Sequence, residues 1–127
     1  MPSKKILFVD DDKFLLDMYA LKFSKAGYEV RTADSGDSAL RVLREGYKPD
    51  VMLIDIVMPV MEGLELVSAV RSEKLAPQSA VIMLTNQGSS DDVARAKKLG
   101  VDGYIVKATT IPSDVLKEVE KMCAGKE

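Results

Sequence analysis

The sequence predicts an α/β protein built on a parallel sheet, and three observations carry that expectation. Five short apolar runs alternate with five amphipathic stretches along the 127 residues. The connections between them are short. No low-complexity segment or linker interrupts the alternation, which points to a single domain over residues 1–127. Right-handed crossovers leave few topologies for such a chain. The doubly wound five-stranded order 2-1-3-4-5 is the leading one, with helices on both faces.

The first apolar run, residues 6–9, stops abruptly at Asp10, Asp11 and Asp12. A helix is expected from about Lys13 to Ala26, with Phe14, Leu15, Met18 and Leu21 as its apolar stripe and Gly27 as its stop. The three acids precede the positive end of that helix, which eases their crowding. Residues 28–33 form a second strand of weaker pattern, placed at an edge. Asp34 or Ser35 caps a second helix carrying Ala39, Leu40 and Leu43, which ends near Gly46. Pro49 and Asp50 lead into Val51, Met52, Leu53 and Ile54, a run apolar enough to be buried on both faces of a sheet.

Asp55 ends that run, and Pro59 closes the segment. A buried, unpaired carboxylate is costly, so an acid there needs a functional or structural reason. A third helix follows over 64–74, with Leu64, Val67 and Val70 facing inward and Pro77 breaking it. Residues 80–84 form a fourth strand that ends at Thr85, before a polar loop over 86–90. The fourth helix, 91–99, matches its own dipole, with Asp91 and Asp92 first, Lys97 and Lys98 last, and Gly100 just beyond. Residues 104–106 give a fifth strand ending at Lys107. Pro112 suits the first turn of a final helix whose apolar face is Val115, Leu116, Val119 and Met122.

Composition narrows the chemistry. With 46% apolar residues and a net charge of −2, the chain reads as a soluble globular protein without bulk attraction to nucleic acid. Its single cysteine, Cys123, excludes an internal disulfide and suits a reducing compartment, so a cytoplasmic location is expected. No apolar run approaches the roughly 20 residues of a membrane span. There is no histidine, hence no Ser/His or Cys/His pair and no His-based metal site. Carboxylates, hydroxyls, lysines and metal ions must do any chemistry.

In a parallel sheet the strand ends converge on one edge, and ligands of open α/β sheets bind there. Asp10 and Asp11 after strand 1, Asp55 after strand 3, Thr85 after strand 4 and Lys107 after strand 5 therefore meet in one shallow pocket. Carboxylates about 5 Å apart repel by roughly 3 kcal/mol per pair at an effective dielectric near 20. A divalent cation removes that penalty, and an oxygen-only set favours Mg²⁺, Mn²⁺ or Ca²⁺ over zinc. Thr85 can donate to one phosphoryl oxygen and Lys107 can neutralise another, which places Asp55 as a nucleophile forming an acyl phosphate. Taken singly, each residue also fits a plainer role as helix cap, turn residue or solvated strand end. Their joint occurrence at successive strand ends is what argues for a site.

The chain resembles the response-regulator receiver domains of two-component signalling, and is similar to the single-domain chemotaxis regulators. The resemblance rests on Ile-Leu-Phe-Val-Asp-Asp-Asp (6–12), the run from Pro49 through Asp55 and Pro59 to Gly63, Val-Ile-Met-Leu-Thr (81–85) and Gly-Tyr-Ile-Val-Lys (103–107). It implies a flavodoxin-like (βα)5 fold and a phospho-accepting switch rather than an enzyme. Asp55 would take a phosphoryl group from a phosphohistidine on a histidine kinase or phosphotransfer protein. Mg²⁺, with Mn²⁺ as a substitute, would be held by Asp10, Asp11, Asp55 and the backbone carbonyl of Val57. Thr85 and Lys107 would contact the phosphoryl group, Thr85 and Tyr104 would form the switch, and Val57, Asn86 and Gln87 would tune phosphoryl lifetime.

The resemblance further implies output to a protein through the face of the fourth helix, fifth strand and fifth helix. It implies a monomer or a phosphorylation-dependent dimer, with no direct contact to nucleic acid or membrane. The chain departs from the family at Ala108, where receivers usually carry proline in a cis peptide. A cis bond without proline costs about 3 kcal/mol, so a trans bond and a rearranged loop over 108–111 are expected. That departure keeps a second reading open, a pseudo-receiver interaction module that works without phosphorylation. A nucleotide-binding enzyme is disfavoured, since no glycine-rich phosphate loop follows strand 1, and Asp55-Ile56-Val57 lacks the Asp-x-Asp of a haloacid-dehalogenase-type phosphatase.

Overall fold

The computed structural model describes residues 4–85, 90–106 and 112–124. The alternation folds as β1 (Lys5–Val9), α1 (Lys13–Lys25), β2 (Glu29–Ala33), α2 (Gly36–Arg44) and β3 (Val51–Asp55), then α3 (Gly63–Ser72), β4 (Ala80–Thr85), α4 (Ser90–Lys98), β5 (Gly103–Val106) and α5 (Pro112–Ala124). The strands pair in parallel in the order β2-β1-β3-β4-β5, as expected, with β2 at an edge.

Side-chain alternation along the central strands builds two cores. Ile6 and Phe8 of β1, Val51 and Leu53 of β3, and Ile82 and Leu84 of β4 face α1 and α5. Leu7 and Val9, Met52 and Ile54, and Val81 and Met83 face α2, α3 and α4. Every residue of β3 is buried, as its unbroken apolar run implied.

Helix α1 turns a different face inward from the one its spacing suggested. Leu16, Tyr19 and Phe23 are its buried residues. Phe8 stacks on Tyr19 at 5.2 Å between ring centroids and meets Phe23 edge-on at 4.9 Å. Phe14 and Leu21 are instead 73% and 61% exposed, and Met18 also faces solvent. Helix α3 likewise ends earlier than Pro77 would require. Its last turn closes at Glu73, where left-handed Lys74 (φ 55°) lets the Leu75 N–H reach the Val70 carbonyl.

The edge where strands begin is laced together. Asp50 accepts from the backbone N–H of Lys5 at 2.8 Å and donates its own N–H to the Lys5 carbonyl. Asp102 makes the same reciprocal pair with Val81. Between helices, Arg44 of α2 grips Glu73 with two hydrogen bonds of 2.8 and 2.6 Å. That pairing holds the Glu73 carboxyl below its usual pKa.

Candidate functional site

At the opposite edge, β1 and β3 lie side by side, with Val9 level with Ile54. Residues Asp10 and Asp55 therefore leave the sheet together. Each carboxylate accepts from the backbone N–H two residues on: Asp12 N–H to Asp10 Oδ1 at 3.0 Å, and Val57 N–H to Asp55 Oδ1 at 3.3 Å. The same local turn thus recurs at two adjacent strand ends. Asp10 and Asp55 are only 2% and 4% exposed, whereas Asp11 is open to solvent. One carboxylate oxygen from each of the three lies within 4.8 Å of the other two.

Asp12 plays the plainer role available to an acid in this run. It caps α1, accepting from Phe14 and Leu15 N–H at 3.0 and 3.2 Å. Ser35, not Asp34, caps α2 through the N–H of Ser38. Gly63 has a role that its sequence position alone does not reveal. A Cβ there would overlap the backbone carbonyl of Asp55, so only glycine lets α3 begin so close to the site. The Gly63 N–H also bonds the Ile56 carbonyl at 2.8 Å, and the Ile56 N–H bonds Leu84 O at 2.9 Å. The backbone around Asp55 is thereby fixed from two sides.

The loop between Asp55 and α3 carries strain. Val60 has φ 69°, and the Met61 N–H closes a tight turn onto the Pro59 carbonyl at 2.8 Å. That is the rarer hand of the γ-turn, held by a β-branched residue that is 96% exposed. Val57 is exposed beside it. Among the described residues, all the exposed large apolar side chains belong to this loop or to α1.

Thr85 ends β4, one position beyond Leu84, which is level with Asp55. Tyr104 pairs with Met83 and packs against the core shared with α2, α3 and α4. Its hydroxyl is buried and has no hydrogen-bond partner among the described residues. Lys107, Ala108, Asn86 and Gln87 lie outside the described residues, and so does the loop expected over 108–111.

The donor set is all carboxylate oxygen and two of its members are buried, which fits a hard divalent cation such as Mg²⁺ or Mn²⁺. Among the described residues no helix is long and apolar enough to cross a membrane.

Comparison with known proteins agrees with this geometry. The family model for the response regulator receiver domain matches residues 6–120. The chain is 33% identical over 105 residues to the alkaline phosphatase synthesis transcriptional regulatory protein PhoP of Bacillus subtilis, covering 83% of this chain and 42% of that one. It is 35% identical over 107 residues to the phosphate regulon transcriptional regulatory protein PhoB of Pseudomonas aeruginosa, covering 84% and 46%. The chain thus spans less than half the length of these curated relatives. Among solved structures, chemotaxis protein CheY4 of Vibrio cholerae superposes with a TM-score of 0.87 at 34% identity, over 94% of this chain and 98% of that one. A CheY-like receiver domain protein of Methanospirillum hungatei gives 0.87 at 32% identity, over 98% and 96%.

Proposed function

Because the chain belongs to the response-regulator receiver family of two-component signalling, we propose that Asp55 is its phosphoryl acceptor. The observation that carries this reading is the meeting of Asp10, Asp11 and Asp55 within 4.8 Å at the switch point of the sheet. An Asp55 oxygen attacks phosphorus while the P–N bond to a donor histidine breaks. The bonding pair goes to the imidazole, which takes up a proton, and Asp55 becomes an acyl phosphate. Asp10, Asp11, Asp55 and the Val57 carbonyl would hold Mg²⁺, which would supply positive charge against that of the acceptor and the phosphoryl group. The Thr85 hydroxyl and the Lys107 ammonium serve the phosphoryl oxygens, while Val57, Asn86 and Gln87 govern access of water. The chain's own chemistry stops at phosphotransfer and slow loss of the phosphoryl group.

The donor is a histidine kinase or phosphotransfer protein. Exposed Phe14, in the first turn of α1 next to the acidic run, and exposed Val57 and Val60 offer it an apolar seat beside Asp55. Output runs to a protein partner through the face of α4, β5 and α5, with Thr85 and Tyr104 as the moving pair. A buried Tyr104 hydroxyl without a partner among the described residues supports this role, since rotation outward restores its hydration. The whole chain, residues 1–127, acts as one such domain.

Incubation with Mg²⁺ and acetyl phosphate tests the reading by intact mass. Wild type gains one phosphoryl group, the adduct is lost in hydroxylamine, and Asp55→Ala gains nothing. Incorporation that survives in Asp55→Ala, or a folded wild type that never reacts, would overturn it; the second result favours the pseudo-receiver.

A further inference from the structure

We propose that Arg71 makes α4 a helix hinged at its C-terminal end, an inference that rests on the switch reading above. Arg71 stands in the last turn of α3, and its guanidinium spans the gap to α4. Nε donates to the Leu99 carbonyl at 3.3 Å and a terminal nitrogen to the Gly100 carbonyl at 3.0 Å. Those are carbonyls at the negative end of the α4 dipole, where a fork of cationic donors bonds strongly.

Other contacts fasten the same end. Gly100 is left-handed (φ 72°), and the Val101 N–H turns back onto the Ala96 carbonyl. Immediately after, Asp102 is clasped to Val81 of β4 in both directions. Ala96, near this end, is the buried residue of α4 in the core, with Leu99 and Val101 packing partly against it. The first turn, by contrast, carries exposed Asp91 and half-exposed Asp92 and Val93, and it follows the connection that leaves the sheet at Thr85.

A helix fastened this way responds to a displacement at Thr85 by swinging its first turn, while Leu99 to Val101 stay in place. Arg71 is a positioning residue here. It touches neither Asp55 nor the phosphoryl group, but it decides which end of α4 can move.

Hydrogen exchange and amide chemical shifts on the whole chain test this. In Arg71→Gln, the amides of Leu99, Gly100 and Val101 exchange about tenfold faster or more, while residues 51–55 of β3 are unchanged. Arg71→Lys, which keeps one donor, falls between, and Arg44→Gln leaves α4 at its wild-type rate. An increase spread equally over β3 and α4 would overturn the hinge, because Arg71 would then be a general stabiliser. So would exchange at Leu99 to Val101 within about twofold of wild type.

With Mg²⁺ and beryllofluoride, wild-type shifts are largest over 90–94 and smallest over 99–101, and Arg71→Gln erases that gradient. Equal shifts at both ends in wild type would overturn the proposal. A wild type that ignores beryllofluoride altogether refutes the phospho-acceptor reading instead, and the exchange measurement still decides whether Arg71 anchors α4.

Discussion

At the edge where the strands begin, Asp50 and Asp102 each turn a carboxylate oxygen onto the backbone N–H of a neighbouring strand, 2.8 Å away in both cases. Where the strands end, Asp10 and Asp55 use the same oxygen type on an N–H only two residues along, which leaves their carboxylates converging with that of Asp11. The first pair joins segments 45 and 21 residues apart. The second pair closes local turns and gathers like charges. One residue type therefore ties strand starts together at one edge and gathers three carboxylates at the other.

Glycine substitutions give the largest expected test of this contrast. Gly63→Ala drives a Cβ into the rigid Asp55 carbonyl and is expected to cost about 3 kcal/mol or more in urea unfolding. Gly103→Ala, at the start of β5, meets only the flexible Met122 thioether and is expected to cost about 1 kcal/mol. Equal costs would mean that the site edge is no stiffer than the other.

Asp102→Ala comes next. It leaves the Val81 N–H without its acceptor and is expected to cost about 1–3 kcal/mol, equally with or without Mg²⁺. Mg²⁺ itself gives a smaller but more diagnostic effect. At ten times its dissociation constant it is expected to stabilise wild type by about 1.4 kcal/mol, seen as a higher unfolding midpoint that a chelator reverses. Asp11→Ala is expected to lose most of that increment, whereas Asp50→Ala keeps all of it.

The smallest effect belongs to Arg44 and Glu73. Their hydrogen bond holds the Glu73 carboxyl below its usual pKa in the folded protein, so its stabilisation is present above the unfolded value and lost as pH falls through the folded one. The gap in urea midpoint between wild type and Arg44→Gln should therefore close as pH falls from neutral through the lowered Glu73 value. A gap that stays constant would show that the pair contributes nothing through charge.

Much of this was legible in the sequence. Unbroken apolar runs such as 51–54 announced buried strands, and the acids at the ends of the first and third announced the meeting of Asp10, Asp11 and Asp55. Helix α1 misled because it carries two apolar faces. Phe14, Leu15, Met18 and Leu21 keep a helical period as well as Leu16, Tyr19 and Phe23 do, and the core around Phe8 of the neighbouring strand decides between them. The end of α3 misled for a different reason. Lys74 adopts a left-handed conformation that sequence assigns to glycine, so the visible Pro77 took the credit. The structural roles of Arg71, Asp50, Asp102 and Gly63 were not legible, because each acts on backbone atoms distant in sequence or hidden by the turn.

The buried hydroxyl of Tyr104 has an optical consequence. The chain has no tryptophan and four tyrosines, so its near-ultraviolet absorption is dominated by phenol rings. Of these, Tyr19 and Tyr28 belong to the aromatic group around Phe8 and Phe23, and Tyr47 lies beneath the Arg31 guanidinium. Tyr104 alone sits on β5, against the core shared with α2, α3 and α4. Any rotation of its ring between core and water is therefore written directly into the difference spectrum, and the protein reports its own state without a label.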